Sequence, residues 1–249
     1  MRPLVALLFT SLPLAAADPP KGTLVIVGGG KLPAAVRDEF VARAGGPGKA
    51  KIVVIPTASA AADDAKEHDG FLKQWKDAKA DATLLHTRDT KAADAAEFVK
   101  PLADATGIWF SGGDQSKLTT AYAGTKVLAA ITKRYADGAV VGGTSAGAAV
   151  MSGVMITGGT DEATTADGFG LLPGTVVDQH FTQRKREKRL AGVLVKHPKA
   201  VGVGIDESTA VVVSGGTATV FGDGKVFVFP PGGKHWSLHK LAVVGYCSA

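Results

Sequence analysis

Two runs of four consecutive aliphatic residues, Leu24-Val25-Ile26-Val27 and Ile52-Val53-Val54-Ile55, most constrain what this chain folds into. A strand with one solvated face alternates apolar and polar side chains. A run with no polar member has to be covered on both sides, as in a parallel sheet sandwiched between helices. Further strands are predicted at 82–85, 107–110 and 139–142. Helices are predicted between them at 34–44, 65–78, 92–102, 116–121, 126–136 and 146–151. Strand-then-helix repetition through residue 151 gives an α/β fold with a doubly wound, mostly parallel sheet. Beyond residue 200 the pattern changes. Strands at 200–205, 210–213, 217–221 and 225–229 are close-set, and Ser214-Gly215-Gly216 and Gly222-Asp223-Gly224 lie between them. These are hairpin signals, so antiparallel strands are expected to extend or flank the parallel sheet.

The first residues carry a different message. Met1-Arg2 precedes the apolar run Leu4–Phe9, and Leu14-Ala15-Ala16-Ala17 supplies a small-residue cleavage pattern. Residues 1–17 therefore read as a secretory signal, too short for a membrane span. Residues 18–249 are left as a single domain, expected in the periplasm or outside the cell. The one cysteine, Cys247, excludes a disulfide framework and a cysteine-based zinc cluster. A net charge of +5, with bases scattered among acids, does not mark a nucleic-acid surface. No metal or cofactor is called for. Gly28-Gly29-Gly30 follows the first strand, but Pro33 stands where a dinucleotide motif needs its third glycine. That turn is expected to be a tight bend at the carboxyl edge of the sheet.

Gly143-Thr144-Ser145-Ala146-Gly147 has a stronger context. An apolar strand precedes it and a helical segment follows, the setting required of the G-x-S-x-G nucleophile elbow. A sharp turn holds the serine in a strained backbone, and small neighbours let strand and helix approach. Ser145 Oγ then stands above the sheet, where the Ala146 N–H can stabilise an oxyanion. A second turn, Ser111-Gly112-Gly113-Asp114-Gln115, follows the strand at 107–110. In a parallel sheet both turns share an edge, so Gly113 can donate its N–H beside that of Ala146.

A serine nucleophile needs a base. Of the six histidines, His68 sits in a charged helical stretch, His197 at a helix end, and His235 and His239 beside Trp236; His86 ends a strand and stays open as a base on sequence alone. His180 lies in Val176-Val177-Asp178-Gln179-His180-Phe181, an apolar strand end running into basic residues. Asp206 and Glu207 follow the apolar strand Val201–Ile205, and either can orient an imidazole there. The basic stretch from Arg184 is predicted as a helix to Lys196. At about 100° per residue, Arg184, Lys185 and Lys188 share one side. Arg186 and Arg189 border the apolar face, where an unpaired guanidinium is costly. They are expected to meet an internal carboxylate or a substrate one.

Three segments, Gly-Gly-Thr-Ser-Ala-Gly-Ala-Ala-Val-Met, Asp-Gln-His-Phe with arginines behind it, and Gly-Ile-Asp-Glu-Ser-Thr-Ala, together resemble the cyanophycinase/peptidase E family of serine peptidases. The resemblance runs from about residue 22 to 230. It implies a flavodoxin-like fold similar to class I glutamine amidotransferase domains, with serine in place of their cysteine. It implies a triad of Ser145 as nucleophile, His180 as base and Glu207 as orienting acid; α/β-hydrolases place the acid before the histidine. It also implies that Gln115, Asp178, Gln179, Arg184, Arg186 and Arg189 line the substrate site. The arginines would hold an acidic peptide backbone, and Asp178 a substrate guanidinium. The first glycine turn departs from the family, carrying Lys31 where acidic residues are frequent.

The function expected is a secreted, cyanophycinase-like serine peptidase that hydrolyses β-aspartyl or cyanophycin-type bonds through an acyl-enzyme. Its partner is a peptide substrate rather than a nucleic acid, or a membrane once the signal is cleaved. Relatives add a homodimer that no residue of the sequence itself indicates. Two other readings stand beside it: a peptidase E-like exopeptidase on short aspartyl peptides, and a catalytically silent secreted binding protein of the same fold.

Overall fold

The computed structural model describes residues 19–231 and the short strands Trp236–Leu238 and Val243–Gly245. The predicted leader at 1–17, His235, His239 and Cys247 lie outside the described residues. In chain order, β1 (Thr23–Val27), α1 (Ala34–Arg43), β2 (Lys51–Ile55), α2 (His68–Asp77) and β3 (Asp81–Leu84) come first. Two single-turn helices follow, α3 (Thr90–Ala93) and α4 (Ala96–Val99), then β4 (Gly107–Phe110), α5 (Gln115–Tyr122), α6 (Lys126–Asp137), β5 (Val140–Thr144) and α7 (Ala146–Ala149). Strands β1, β5, β4, β2 and β3 lie side by side in that order, all parallel.

The uninterrupted aliphatic runs are explained by this sheet. Leu24 and Ile26 pack on one face, with Val53, Ile55, Ile108, Phe110 and Val141. Val25 and Val27 pack on the other, with Val36 and Phe40 of α1 and Trp75 of α2. All four β1 positions from Leu24 to Val27 are at most 1% exposed. At about 1.5–3 kcal/mol per fully buried aliphatic side chain, the central strand is fixed from both sides.

The helix predicted at 92–102 is instead α3, α4 and a 3-10 turn at Lys100–Leu102. Pro101 cannot donate to a continuing helix. Asp94 turns aside, its Oδ1 accepting the Lys126 N–H at the start of α6 (2.9 Å).

The second half departs further from expectation. It comprises β6 (Ser152–Gly158), β7 (Thr164–Asp167), β8 (Leu172–Gln179), α8 (Glu187–Lys196), β9 (Val201–Ile205), β10 (Thr209–Ser214), β11 (Thr217–Gly222), β12 (Val226–Phe229), β13 (Trp236–Leu238) and β14 (Val243–Gly245). The antiparallel tail exists but is divided. Strands β10, β11 and β14 extend the first sheet beyond β1. Strands β12 and β13 join a second, six-stranded sheet built on parallel β6, β8 and β9, in the order β13-β12-β9-β8-β6-β7. One continuous core lies between the sheets, where Met155, Val177 and Ile205 meet Leu24, Ile26 and Val211. The outer face of the second sheet is covered by Leu190 and Val193 of α8.

Candidate active site

Parallel strands in both sheets end at a common edge, and the predicted residues are gathered there. Ser145 follows β5, His180 follows β8, and Asp206 and Glu207 follow β9. The Ser145 backbone is strained as an elbow requires, with φ 53° and ψ −111°. Gly143 and Gly147 make the bend possible. A Cβ on either would strike backbone atoms, of Gly147 and of Phe110 respectively.

His180 bridges nucleophile and acid. Its Nδ1 lies 2.6 Å from Glu207 Oε1, and its Nε2 lies 2.8 Å from Ser145 Oγ. An ionised carboxylate only accepts, so Nδ1–H donates to Glu207, and Nε2 is left to accept the Ser145 O–H. The imidazole is fixed from behind. The backbone N–H of His180 donates to Gly28 O (2.6 Å), and that of Phe181 to Ile205 O (3.1 Å). The fully buried Phe181 ring lies on Gly204 of β9, where a Cβ would come within 2.6 Å of it.

Burial is the largest influence on His180, pushing its pKa below 6.5. The hydrogen bond and charge of Glu207 oppose that shift, and the nearby cations Arg184 and Arg186 add to it. The ring is therefore kept neutral and able to accept a proton near neutral pH.

Asp206, the rival acid, points elsewhere. It is 4% exposed and accepts from Thr182 N–H (3.0 Å), Thr182 Oγ1 (2.7 Å) and Lys225 N–H (3.1 Å), tying the His180 loop to the hairpin before β12.

The Gly28–Gly30 turn has more work than a bend. Gly29, at φ 103°, lies flat against the His180 ring, and Gly30, at φ 70°, lies against Glu207. A Cβ at Gly29 would overlap the imidazole. Ser208 N–H donates to Gly29 O (2.8 Å), so this turn joins the ends of β1, β8 and β9.

The proposed oxyanion donors border Ser145. A Cβ at Gly112 would stand 3.4 Å from Ser145 Cβ, so the Ser111–Asp114 turn is beside the nucleophile. Gly113 is solvent-exposed, while Ala146 is buried at the first position of α7. Among the described residues neither backbone N–H has a hydrogen-bond acceptor.

The remaining predicted site residues divide. Arg184 is exposed and close enough to act on His180 by charge. Gln115 Nε2 donates to Ile156 O (2.6 Å). Asp178 is 1% exposed, with one oxygen 3.0 Å from Arg189 Nε and the other shared by Arg189 Nη2 and Arg186 Nη1. Arg186 Nη1 also donates to Gln179 O (2.6 Å) and to Gln179 Oε1, and Arg189 Nη1 to Gly159 O (2.9 Å). Of the two partners expected for Arg186 and Arg189, the structure has the internal carboxylate. Burial lowers Arg186 to about 10 against the pull of Asp178. The predicted helix start at Arg184 also moves. Lys185 has φ 53°, so the chain turns there and α8 begins at Glu187.

His86, which the sequence alone left open as a base, has a hydroxyl and a carboxylate partner of its own away from Ser145. Its Nδ1 is 2.8 Å from Thr57 Oγ1 and its Nε2 3.0 Å from Asp63 Oδ1.

The sequence profile of peptidase family S51 matches residues 24–221. A cyanophycinase of Synechococcus elongatus is 37% identical over 228 residues, covering 85% of this chain and 69% of that protein. A cyanophycinase of Nostoc sp. is 33% identical over 234 residues, covering 89% and 78%. Among solved structures, a peptidase from an acI-B1 actinobacterium superposes with a TM-score of 0.74 at 27% identity, over 90% of this chain and 97% of that one.

Proposed function

The chain belongs to peptidase family S51, whose members are serine peptidases, and from that premise we propose that Ser145, His180 and Glu207 are its catalytic triad, acting on β-aspartyl or cyanophycin-type bonds. One observation carries the reading: the unbroken hydrogen-bond chain from Ser145 Oγ through His180 to Glu207.

The steps are those of a serine peptidase acting through these residues. Ser145 Oγ attacks the scissile carbonyl carbon as His180 Nε2 takes its proton. Glu207 stabilises the imidazolium through Nδ1–H. The carbonyl oxygen, now an oxyanion, accepts from the N–H groups of Gly113 and Ala146. His180 returns the proton to the leaving amine, and an acyl-enzyme on Ser145 remains. Water, deprotonated by His180, then releases the acid and restores the serine. Arg184 is exposed beside the base, where it can receive a substrate carboxylate. Arg186, Arg189 and Asp178 act in this reading as a buried ionic support. Export through residues 1–17 remains part of the proposal, checked by the N-terminal mass of protein recovered outside the cytoplasm.

The test is hydrolysis of cyanophycin, β-Asp-Arg dipeptide and α-aspartyl dipeptides by purified protein, with product masses read out. Release of β-Asp-Arg from the polymer, lost by about 10⁴-fold or more in Ser145→Ala, is the expected result. Cleavage of short α-aspartyl peptides alone would make it an exopeptidase of the peptidase E kind. No difference between Ser145→Ala and the native chain would overturn the triad.

A further inference from the structure

Outside the triad, the described residues hold a second polar relay. Thr87 N–H donates to Tyr122 OH (3.2 Å), the Tyr122 hydroxyl shares a hydrogen bond with Thr57 Oγ1 (2.6 Å), and Thr57 Oγ1 shares another with His86 Nδ1 (2.8 Å). His86 Nε2–H then donates to Asp63 Oδ1 (3.0 Å). The hydrogen bonds from His86 and Arg88 hold the Asp63 carboxyl below the ordinary carboxylate range, consistent with an ionised acceptor. This is an acid, an imidazole and a hydroxyl in series, but it is not a second hydrolytic site. Thr57 is 0% exposed, so no substrate reaches its hydroxyl.

What the relay does hold is a loop. Arg88 Nε donates to Asp63 Oδ2 (2.7 Å), and its two terminal nitrogens donate to Thr57 O (2.9 Å) and Ser59 O (2.9 Å). One guanidinium therefore fixes the carbonyls on both sides of Ala58. The Ala58 carbonyl itself accepts the Asp114 N–H (2.9 Å), and it lies so close to Gly113, at φ 137°, that any Cβ there would collide with it. On the other side of the turn, Ser111 N–H donates to Ile55 O (3.1 Å). The Gly113 N–H lies between these two fastened points.

We infer that Arg88 and Thr57 are positioning residues for the oxyanion turn. They fix the Ala58 carbonyl, which sets the Gly113 peptide beside Ser145. The inference rests on the serine peptidase reading above. A misplacement of roughly 1 Å at a reacting centre is enough to cost about 10²-fold in rate, and loss of one oxyanion donor costs about 10²–10³-fold. The effect should fall on the transition state and leave substrate binding nearly alone.

The experiment uses the full chain as Arg88→Met, Thr57→Val and Thr57→Ser, with Ser145→Ala as control. It measures kcat and KM on cyanophycin, by release of β-Asp-Arg, and inhibition by a peptidyl aldehyde, whose adduct places an oxyanion in the hole. Arg88→Met and Thr57→Val should lower kcat by about 10-fold or more, with KM within about threefold and weaker aldehyde inhibition to match. Thr57→Ser keeps the hydroxyl and should recover most of the rate. If Arg88→Met does not fold, the Val and Ser pair at position 57 decides. Native kcat in the Thr57→Val chain, or a loss confined to KM, would overturn the positioning role while Ser145→Ala stays inactive. A Ser145→Ala chain as active as the native one would overturn the serine mechanism and this inference with it.

Discussion

Asp206 and Glu207 are neighbours in the chain and face opposite ways. Glu207 Oε1 takes the Nδ1–H of His180 at 2.6 Å, while the Asp206 carboxylate takes backbone and hydroxyl donors from Thr182 and Lys225. Both follow β9, whose end points one side chain to the imidazole and the other into the layer beneath it. The division of labour makes the two acids separable by mutation.

Glu207→Gln keeps the size and removes the charge. The imidazolium formed during attack loses its partner, and Nδ1 no longer has an obligatory acceptor. We expect kcat to fall by about 10²–10⁴-fold. Thermal unfolding should be nearly unchanged, because the Glu207 side chain is 38% exposed. Steady-state rates beside a melting curve check both parts.

The acid limb of the pH profile should report His180. Its working form is neutral, and burial with the Arg184 and Arg186 charges keeps its pKa below 6.5. Accordingly kcat/KM should be level through neutrality and decline as pH falls through that lowered value. Arg184→Gln removes one cation that lowers it, so the midpoint should move up. Glu207→Gln removes the groups that raise it, so the midpoint should move down. The same shift makes the His180 contribution to stability complete above 6.5 and lost as pH drops from there toward the folded value.

Asp178→Asn tests the buried ionic support. The side chain is 1% exposed and serves two guanidinium groups, one of them on the buried Arg189. Removing its charge leaves both arginines uncompensated, and the expected cost is about 3–5 kcal/mol. Urea unfolding measures it. A rise in KM with stability unchanged would instead place Asp178 at the substrate.

Gly29→Ala tests the wall behind the base. The backbone there has φ 103°, and a Cβ would overlap the His180 ring. The imidazole must move for the methyl group to fit, so hydrolysis should fall by about 10²-fold or more. Labelling of Ser145 by a fluorophosphonate should slow in parallel. Unaltered labelling would mean that the ring has room.

Part of this was legible in the chain of residues. Aliphatic runs gave β1 and β2, because burial on both faces leaves no other composition. The elbow around Ser145 was readable, because a strained turn between strand and helix demands small neighbours. The sequence left Asp206 and Glu207 open, and the resemblance to the family is what favoured Glu207. The second sheet was harder to see. Pro173-Gly174 interrupts β8, and every residue of β7 is exposed, so neither shows the alternation that marks a strand. The partner of Arg186 and Arg189 was a choice between two carboxylates, one internal and one on the substrate, and periodicity cannot choose between them. The Arg88 relay left no trace, since its members are ordinary polar residues in loops and at the ends of short helices, 23–65 positions apart where they touch.

The nucleophile rides on one sheet, and the base and its acid ride on the other. The loop leaving β1 holds the two edges together through the carbonyls of Gly28 and Gly29, which take the N–H groups of His180 and Ser208. Turnover thus gauges the alignment of two layers as much as the integrity of either. A perturbant that lets them slide by about an ångström should silence the molecule while circular dichroism still records both layers intact.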